Sequence, residues 1–191
     1  MPAIKISGIT NKEDAKWAAI LGVDFVSVSL MEGDPRKTSD EMARNICQML
    51  PSYTEVILEL DSPNSLSKRR IEKISPVYIS TPLETQESGE NIGDGILSIR
   101  KLEKLGEATQ DAEIIEIRIG QDLDEEVFSG LVSEFSNFPL IIEGDLELPL
   151  IKSICSRYQM RAWSVRNIIS RSPRRIDYSL MKEYIREISL W

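Results

Sequence analysis

Any chemistry in this chain has to be done without histidine. None occurs among its 191 residues. That argues against a zinc centre and against a Ser-His-Asp hydrolase, and it removes the usual general base near neutral pH. The two cysteines, Cys47 in NICQML and Cys155 in IKSICSRY, form no Cys-x-x-Cys pair and sit beside apolar residues. They read as small buried hydrophobes rather than ligands or nucleophiles. Carboxylates, hydroxyls and arginines remain. Glu116, Glu143 and Asp145 lie at or near the ends of apolar runs. In a partly desolvated cleft one of them could hold its proton and act as an acid; solvated, or turned into a polar layer, it would not. The run RNIISRSPRR collects Arg166, Arg171, Arg174 and Arg175. It suits an anion site or charge flanking a helix, and spacing alone leaves both open.

These side chains need elements to carry them. AIKIS (3–7), DFVSVSL (24–30), EVILEL (55–60), PVYIS (76–80), GILSI (95–99), EIIEIRI (113–119), PLIIEG (139–144) and RAWSV (161–165) are short, apolar and rich in β-branched residues. They read as strands. Amphipathic segments lie between most of them. NKEDAKWAAIL starts at Asn11 and SDEMARNICQML at Ser39, both favoured helix N-caps. NSLSKRRIEKI, DEEVFSGLVSEF, ELPLIKSICSRY and IDYSLMKEYIREISL complete the set. Alternation of this kind predicts a parallel sheet. Eight strands can close a barrel, so the expected fold is α/β, a small (β/α)8 TIM barrel, as one domain over residues 1–191. An open doubly wound sheet is the alternative, because periodicity does not report closure. The chain is shorter than the usual ~250 residues for a barrel, so some crossover helices should be reduced, with TPLETQESGENIGD (81–94) the candidate. In a barrel the residues to read lie where strands end: Ser7, the loop after Leu30, Asp61, Ser80, Arg100, Arg118, Glu143–Asp145 and Ser164–Asn167.

The composition narrows the partners. The net charge is −8, which argues against nucleic acid and against an anionic membrane surface. The 41% hydrophobic content supports a packed core. With no leader-like segment and no long apolar run, a cytoplasmic protein is expected.

KISGITNKEDA (5–15) resembles the opening of the phosphoribosylanthranilate isomerases, whose pattern is K-I-C-G-[IL]-T-x-x-x-D-A. LGVDFVSVSLMEGDPRKTS (21–39) is similar to the family's next strand and its S-P-R loop, with Gly22, Asp24, Pro35 and Arg36 in register. RSPRRIDYSLMKEYIREI resembles its closing S-P-G-x-K-D and last helix, through Ser172, Pro173 and Asp177. The resemblance is specific over 4–45, fair over 160–188 and thin between. It implies a (β/α)8 barrel and an Amadori isomerisation of a phosphoribosyl anthranilate in tryptophan biosynthesis. It implies no cofactor or metal, a small phosphosugar-type or other anionic ligand, and a monomer or homodimer.

That reaction needs a general acid on the furanose oxygen and a general base at sugar C2. The resemblance places the base at Ser7, where the family has Cys, and the acid at Ser164, where it has Asp. Arg36 matches the arginine that holds the anthranilate carboxylate, a task suited to a guanidinium. Gly144, Asp145, Arg166 and Asn167 fall on the phosphate loops, where Glu143-Gly144-Asp145 replaces Gly-Gly and Asn167-Ile168 replaces Ser-Gly. Ser80 stands where the family often has His. Two readings follow. One is an isomerase of this family with a rearranged site. The other is a catalytically inactive or repurposed barrel that binds an anionic ligand or a protein partner.

Overall fold

The structure is a computed structural model that describes residues 2–62, 65–82, 97–102, 114–119, 125–158, 160–166, 169–172 and 174–189, without the side chains of 97–102, 125, 127, 131 and 171. Eight parallel strands follow one another in chain order. They are β1 (Ala3–Ile6), β2 (Phe25–Ser29), β3 (Glu55–Glu59), β4 (Tyr78–Pro82), β5 (Leu97–Leu102), β6 (Ile114–Arg118), β7 (Leu140–Glu143) and β8 (Ala162–Val165). β8 pairs back onto β1, Ala3 opposite Ala162 through Ile6 opposite Val165, so the sheet closes into a barrel. That removes the open-sheet alternative. β5 runs further along the chain than the expected 95–99. Of the expected reduced crossover, 81–94, Thr81 and Pro82 end β4 and residues 83–94 lie outside the described residues.

Among the described residues six helices lie in the connections: α1 (Lys12–Ile20), α2 (Asp40–Met49), α3 (Lys68–Ile74), α4 (Glu125–Glu134), α5 (Leu148–Arg157) and α6 (Tyr178–Ser189). Two of their starts carry the side-chain caps that the sequence encodes. Asn11 accepts from the Asp14 amide at 2.9 Å and Ser39 from the Met42 amide at 3.2 Å. Asp177 accepts from the Ser179 and Leu180 amides and so caps α6. No helix among the described residues is long and apolar enough to cross a membrane. The arginine run carries structure of its own. It contains a small antiparallel hairpin, β9 (Ser170–Ser172) with β10 (Arg175–Ile176), too short to leave a period in the sequence.

Strand alternation sorts the side chains into two cores. Ile4, Ile6, Val26, Val28, Leu58, Ile115, Ile142 and Trp163 join the helices' Ala15, Ala18, Ile46, Ile151 and Met181 in the large outer core. Phe25, Ile57, Tyr78, Ile114, Ile141 and Ala162, with Ala3 beside them, form a separate apolar cluster, the lower layer of the barrel interior. Two residues further along each strand the inward positions turn polar. They are Lys5, Ser27, Glu59, Ser80, Glu116, Glu143 and Ser164, all buried.

Candidate active site

Ser7 follows β1 directly and is 2% exposed. Its hydroxyl lies 2.8 Å from the Ser164 hydroxyl and donates to Glu143 Oε2 at 2.8 Å. Ser164 reaches the same oxygen at 3.5 Å. The two serines that the sequence places on one site therefore meet, across the β1–β8 seam, on a shared carboxylate. Glu143 Oε1 takes Arg118 in a two-pronged contact, Nε at 2.9 Å and Nη2 at 2.7 Å.

The other interior charges continue from there. Arg166 Nε lies 3.9 Å from Glu143 Oε2, and its Nη2 is bonded to Glu59. Glu59 also accepts from Ser27 at 2.6 Å, and Lys5 Nζ stands 3.9 Å from it. Lys5 bonds Glu116 at 2.5 Å. The sequence Arg118–Glu143–Arg166–Glu59–Lys5–Glu116 is thus one connected series of alternating cations and carboxylates, and Arg166 also reaches Asp34 at 3.5 Å. Burial works against the Arg166 charge, but Glu59, Glu143 and Asp34 outweigh it, so its pKa stands above the ordinary guanidinium value. Two buried atoms of the network lack a hydrogen bond, Glu116 Oε2 and Arg166 Nε.

Glu116 is consequently no strand-end acid. It sits mid-strand, fully buried on Lys5. Asp145 is not a free carboxylate either, since it accepts from the Arg166 amide at 3.0 Å. That amide belongs to the loop where the resemblance puts phosphate, and a side chain of the protein already holds it. Gly144 offers no open cradle, because a Cβ there would come within 2.7 Å of Ile119. Asn167 lies outside the described residues.

Arg36 is buried rather than a surface arginine. Its backbone amide donates to Asp34 at 2.8 Å and its guanidinium to Ser170 Oγ at 3.2 Å, on the β9 hairpin. The stem lies across Gly8, whose φ of +74° and missing Cβ both matter, since a Cβ would stand 2.5 Å from Arg36 Cδ. Burial, then the charge of Arg166, lower its pKa, against the pull of Asp34, Asp145 and Glu143. Of the arginine run, Arg166 joins the network, Arg174 donates to the Lys37 carbonyl at 2.8 Å and Arg175 is exposed. Arg166, Arg174 and Arg175 do not converge on one anion site, and the side chain of Arg171 lies outside the described residues. Lys5 and Glu59 were not among the sequence candidates. Their signal was present: each is a charge in an apolar strand, two residues beyond an inward apolar position.

No family model matches the chain. Among curated proteins it is 49% identical over 43 residues to the N-(5'-phosphoribosyl)anthranilate isomerase of Chlamydia caviae, covering 22% of this chain and 21% of that one. It is 33% identical over 75 residues to the enzyme of the same name from Neisseria meningitidis, covering 39% and 36%. The matched stretch thus spans about a fifth to a third of those relatives. In structure the reach is complete. The phosphoribosyl anthranilate isomerase of Thermus thermophilus superposes with a TM-score of 0.81 at 16% identity, covering 98% of each chain. A phosphoribosyl anthranilate isomerase in complex with reduced 1-(o-carboxyphenylamino)-1-deoxyribulose 5-phosphate gives 0.79 at 22% identity, covering 100% of each. In stretches of its sequence and in the whole of its fold, the chain is similar to the phosphoribosylanthranilate isomerases.

Proposed function

We propose that the chain is a phosphoribosylanthranilate isomerase-type barrel of the cytoplasm that does not run the Amadori isomerisation, and that its barrel now serves binding rather than turnover. The observation that supports this is the ion network of the barrel, in which each interior carboxylate is already paired with a cation. Proton abstraction at sugar C2 needs a base free to receive the proton, and ring opening needs an acid free to give one. Ser7 is a poor base, and Ser164 a poor acid. The three interior carboxylates, Glu59, Glu116 and Glu143, are each bound to a cation. Loss of one proton-transfer group costs ~10²–10⁴ in rate, so loss of both should leave turnover near background.

A second reading rests on one contact. Glu143 Oε2 lies 2.8 Å from Ser7 Oγ, which puts a carboxylate next to the position of the family's base. On that reading the chain remains an isomerase with Glu143 as its base. One assay separates the two. Loss of phosphoribosylanthranilate fluorescence is followed with the wild type, Glu143→Gln and Ser7→Cys/Ser164→Asp. We expect no turnover above background in the wild type. Wild-type turnover that Glu143→Gln abolishes would replace our reading with the second. Turnover gained only by the double substitution would show a binding site kept intact after its proton-transfer groups were lost.

A further inference from the structure

In barrels of this architecture the loops after the seventh and eighth strands frequently form a phosphate site at the C-terminal end, the mouth, with backbone N–H groups turned toward the anion. In this chain two of the described amides of those loops are already engaged. The Gly144 N–H, after β7, donates to the Ser164 carbonyl at 3.0 Å. The Arg166 N–H, after β8, donates to Asp145 Oδ1 at 3.0 Å. The second bond brings a carboxylate of one loop onto an amide of the next. A carboxylate oxygen there makes the contact that a phosphate oxygen would make, and it carries the same sign of charge.

The arrangement is held from both sides. Ser170 Oγ donates to the Arg166 carbonyl at 2.9 Å and accepts from the Arg36 guanidinium at 3.2 Å. Tyr184 of α6 donates to the carbonyl of Leu146, the residue after Asp145. The Arg166 guanidinium does not turn back to the loop. It reaches Glu59, Asp34 at 3.5 Å and Glu143 at 3.9 Å. Asp145 itself is half-buried, so its carboxylate remains within reach of a ligand. A phosphate dianion arriving at this amide meets a donor already used and a like charge fixed on it. Two like charges ~4 Å apart repel appreciably even near a protein surface. A charge placed against one ligand class confers selectivity with no new attractive contact.

We propose that Asp145 is a specificity-determining residue of the mouth: its carboxylate takes the place of a phosphate on the Arg166 amide, so the mouth excludes phosphate monoesters and accepts ligands that carry no phosphate. The inference rests on the reading of this barrel as a binding protein and names the ligand class that reading leaves open.

The probes are inorganic phosphate and ribose 5-phosphate, each titrated into isotope-labelled protein and followed by amide NMR. The wild type should show no saturable shifts up to about 10 mM. Asp145→Ala frees the amide and removes the charge. It should bind both anions roughly tenfold more tightly or better, with shifts centred on the segments around 144–147 and 164–166. Asp145→Asn keeps an oxygen for the amide and removes only the charge, so it should gain part of that affinity. Glu183→Gln, an equal loss of charge on the exposed face of α6, should behave as the wild type. A purely structural Asp145 would lower the thermal midpoint of Asp145→Ala and leave phosphate binding unchanged. No gain by the alanine variant, or by the asparagine variant should the alanine variant fail to fold, would overturn the proposal. So would an equal gain by Glu183→Gln. Wild-type phosphate binding without turnover of phosphoribosylanthranilate would overturn this inference alone, whereas wild-type turnover would overturn it together with the reading it rests on.

Discussion

At the scale of single residues, the clearest demand is the one Gly8 meets. Its φ of +74° lies in the left-handed region, and Arg36 lies across the space a side chain would fill. The sequence motif points to a turn at Gly8, and the resemblance implies a carboxylate-binding role for Arg36, but neither shows that they touch, because a helix and a strand lie between them in the chain. Gly22 is the natural control, with φ +82° and nothing within 4 Å of a built Cβ. Gly22→Ala should cost only the backbone penalty, about 1–2 kcal/mol. Gly8→Ala should cost about 1 kcal/mol more, through overpacking against the Arg36 stem. Urea midpoints at unchanged m measure both. The excess should vanish when Arg36 is also changed to Ala; an excess that survives would place the strain elsewhere.

At the scale of elements, strand alternation was legible and its consequence was not. Each strand reads as apolar, and the strands whose side chains are described are apolar on the outer face and at the foot of the inner face. Lys5, Glu59, Glu116 and Glu143 lie on the inner face beyond that foot, and only barrel closure shows that they meet. The β9–β10 hairpin escaped because strands of three and two residues carry no period. Buried ion pairs of this kind are costly to break and cheap to replace. Removing one partner leaves an uncompensated charge at about 3–5 kcal/mol, whereas an apolar pair of similar volume is often neutral or better. The Lys5–Glu116 contact is a fair test, since both side chains are fully buried and Glu116 Oε2 has no partner. Lys5→Met and Glu116→Leu should each destabilise by roughly that amount, and the double variant should return to within about 1 kcal/mol of wild type. A double variant as unstable as the sum of the two would mean that Glu59 depends on Lys5 more than the 3.9 Å separation implies.

At the scale of the whole molecule, closure itself was the least legible feature, because it is a pairing between the first strand and the eighth. What the composition does fix is the response to pH. With no histidine, no side chain has an ordinary pKa between about 5 and 8, so stability should be flat there. The groups that end the plateau are buried or half-buried acids that are neutral until they lose a proton. Burial pushes the Cys47 thiol from 9.0 up to about 12 and the Cys155 thiol from 9.0 up to about 11. Tyr178 rises from 10.0 to about 12 through burial and then its hydrogen bond to Asp14. Tyr184 rises from 10.0 to about 12 through burial and then the charges of Asp145 and Glu147. Each pKa is higher folded than unfolded. Above pH 9 the unfolded chain therefore releases protons that the folded chain keeps, which favours unfolding. The contribution is complete below about pH 9 and is lost as pH climbs through the folded values. Thermal midpoints against pH should hold level from about 6 to 8 and fall beyond about 9. Cys47→Ala/Cys155→Ala should move the onset to about 10, where only the tyrosines remain. An onset unmoved by the loss of both thiols would show that the helices open enough to solvate them before the barrel unfolds.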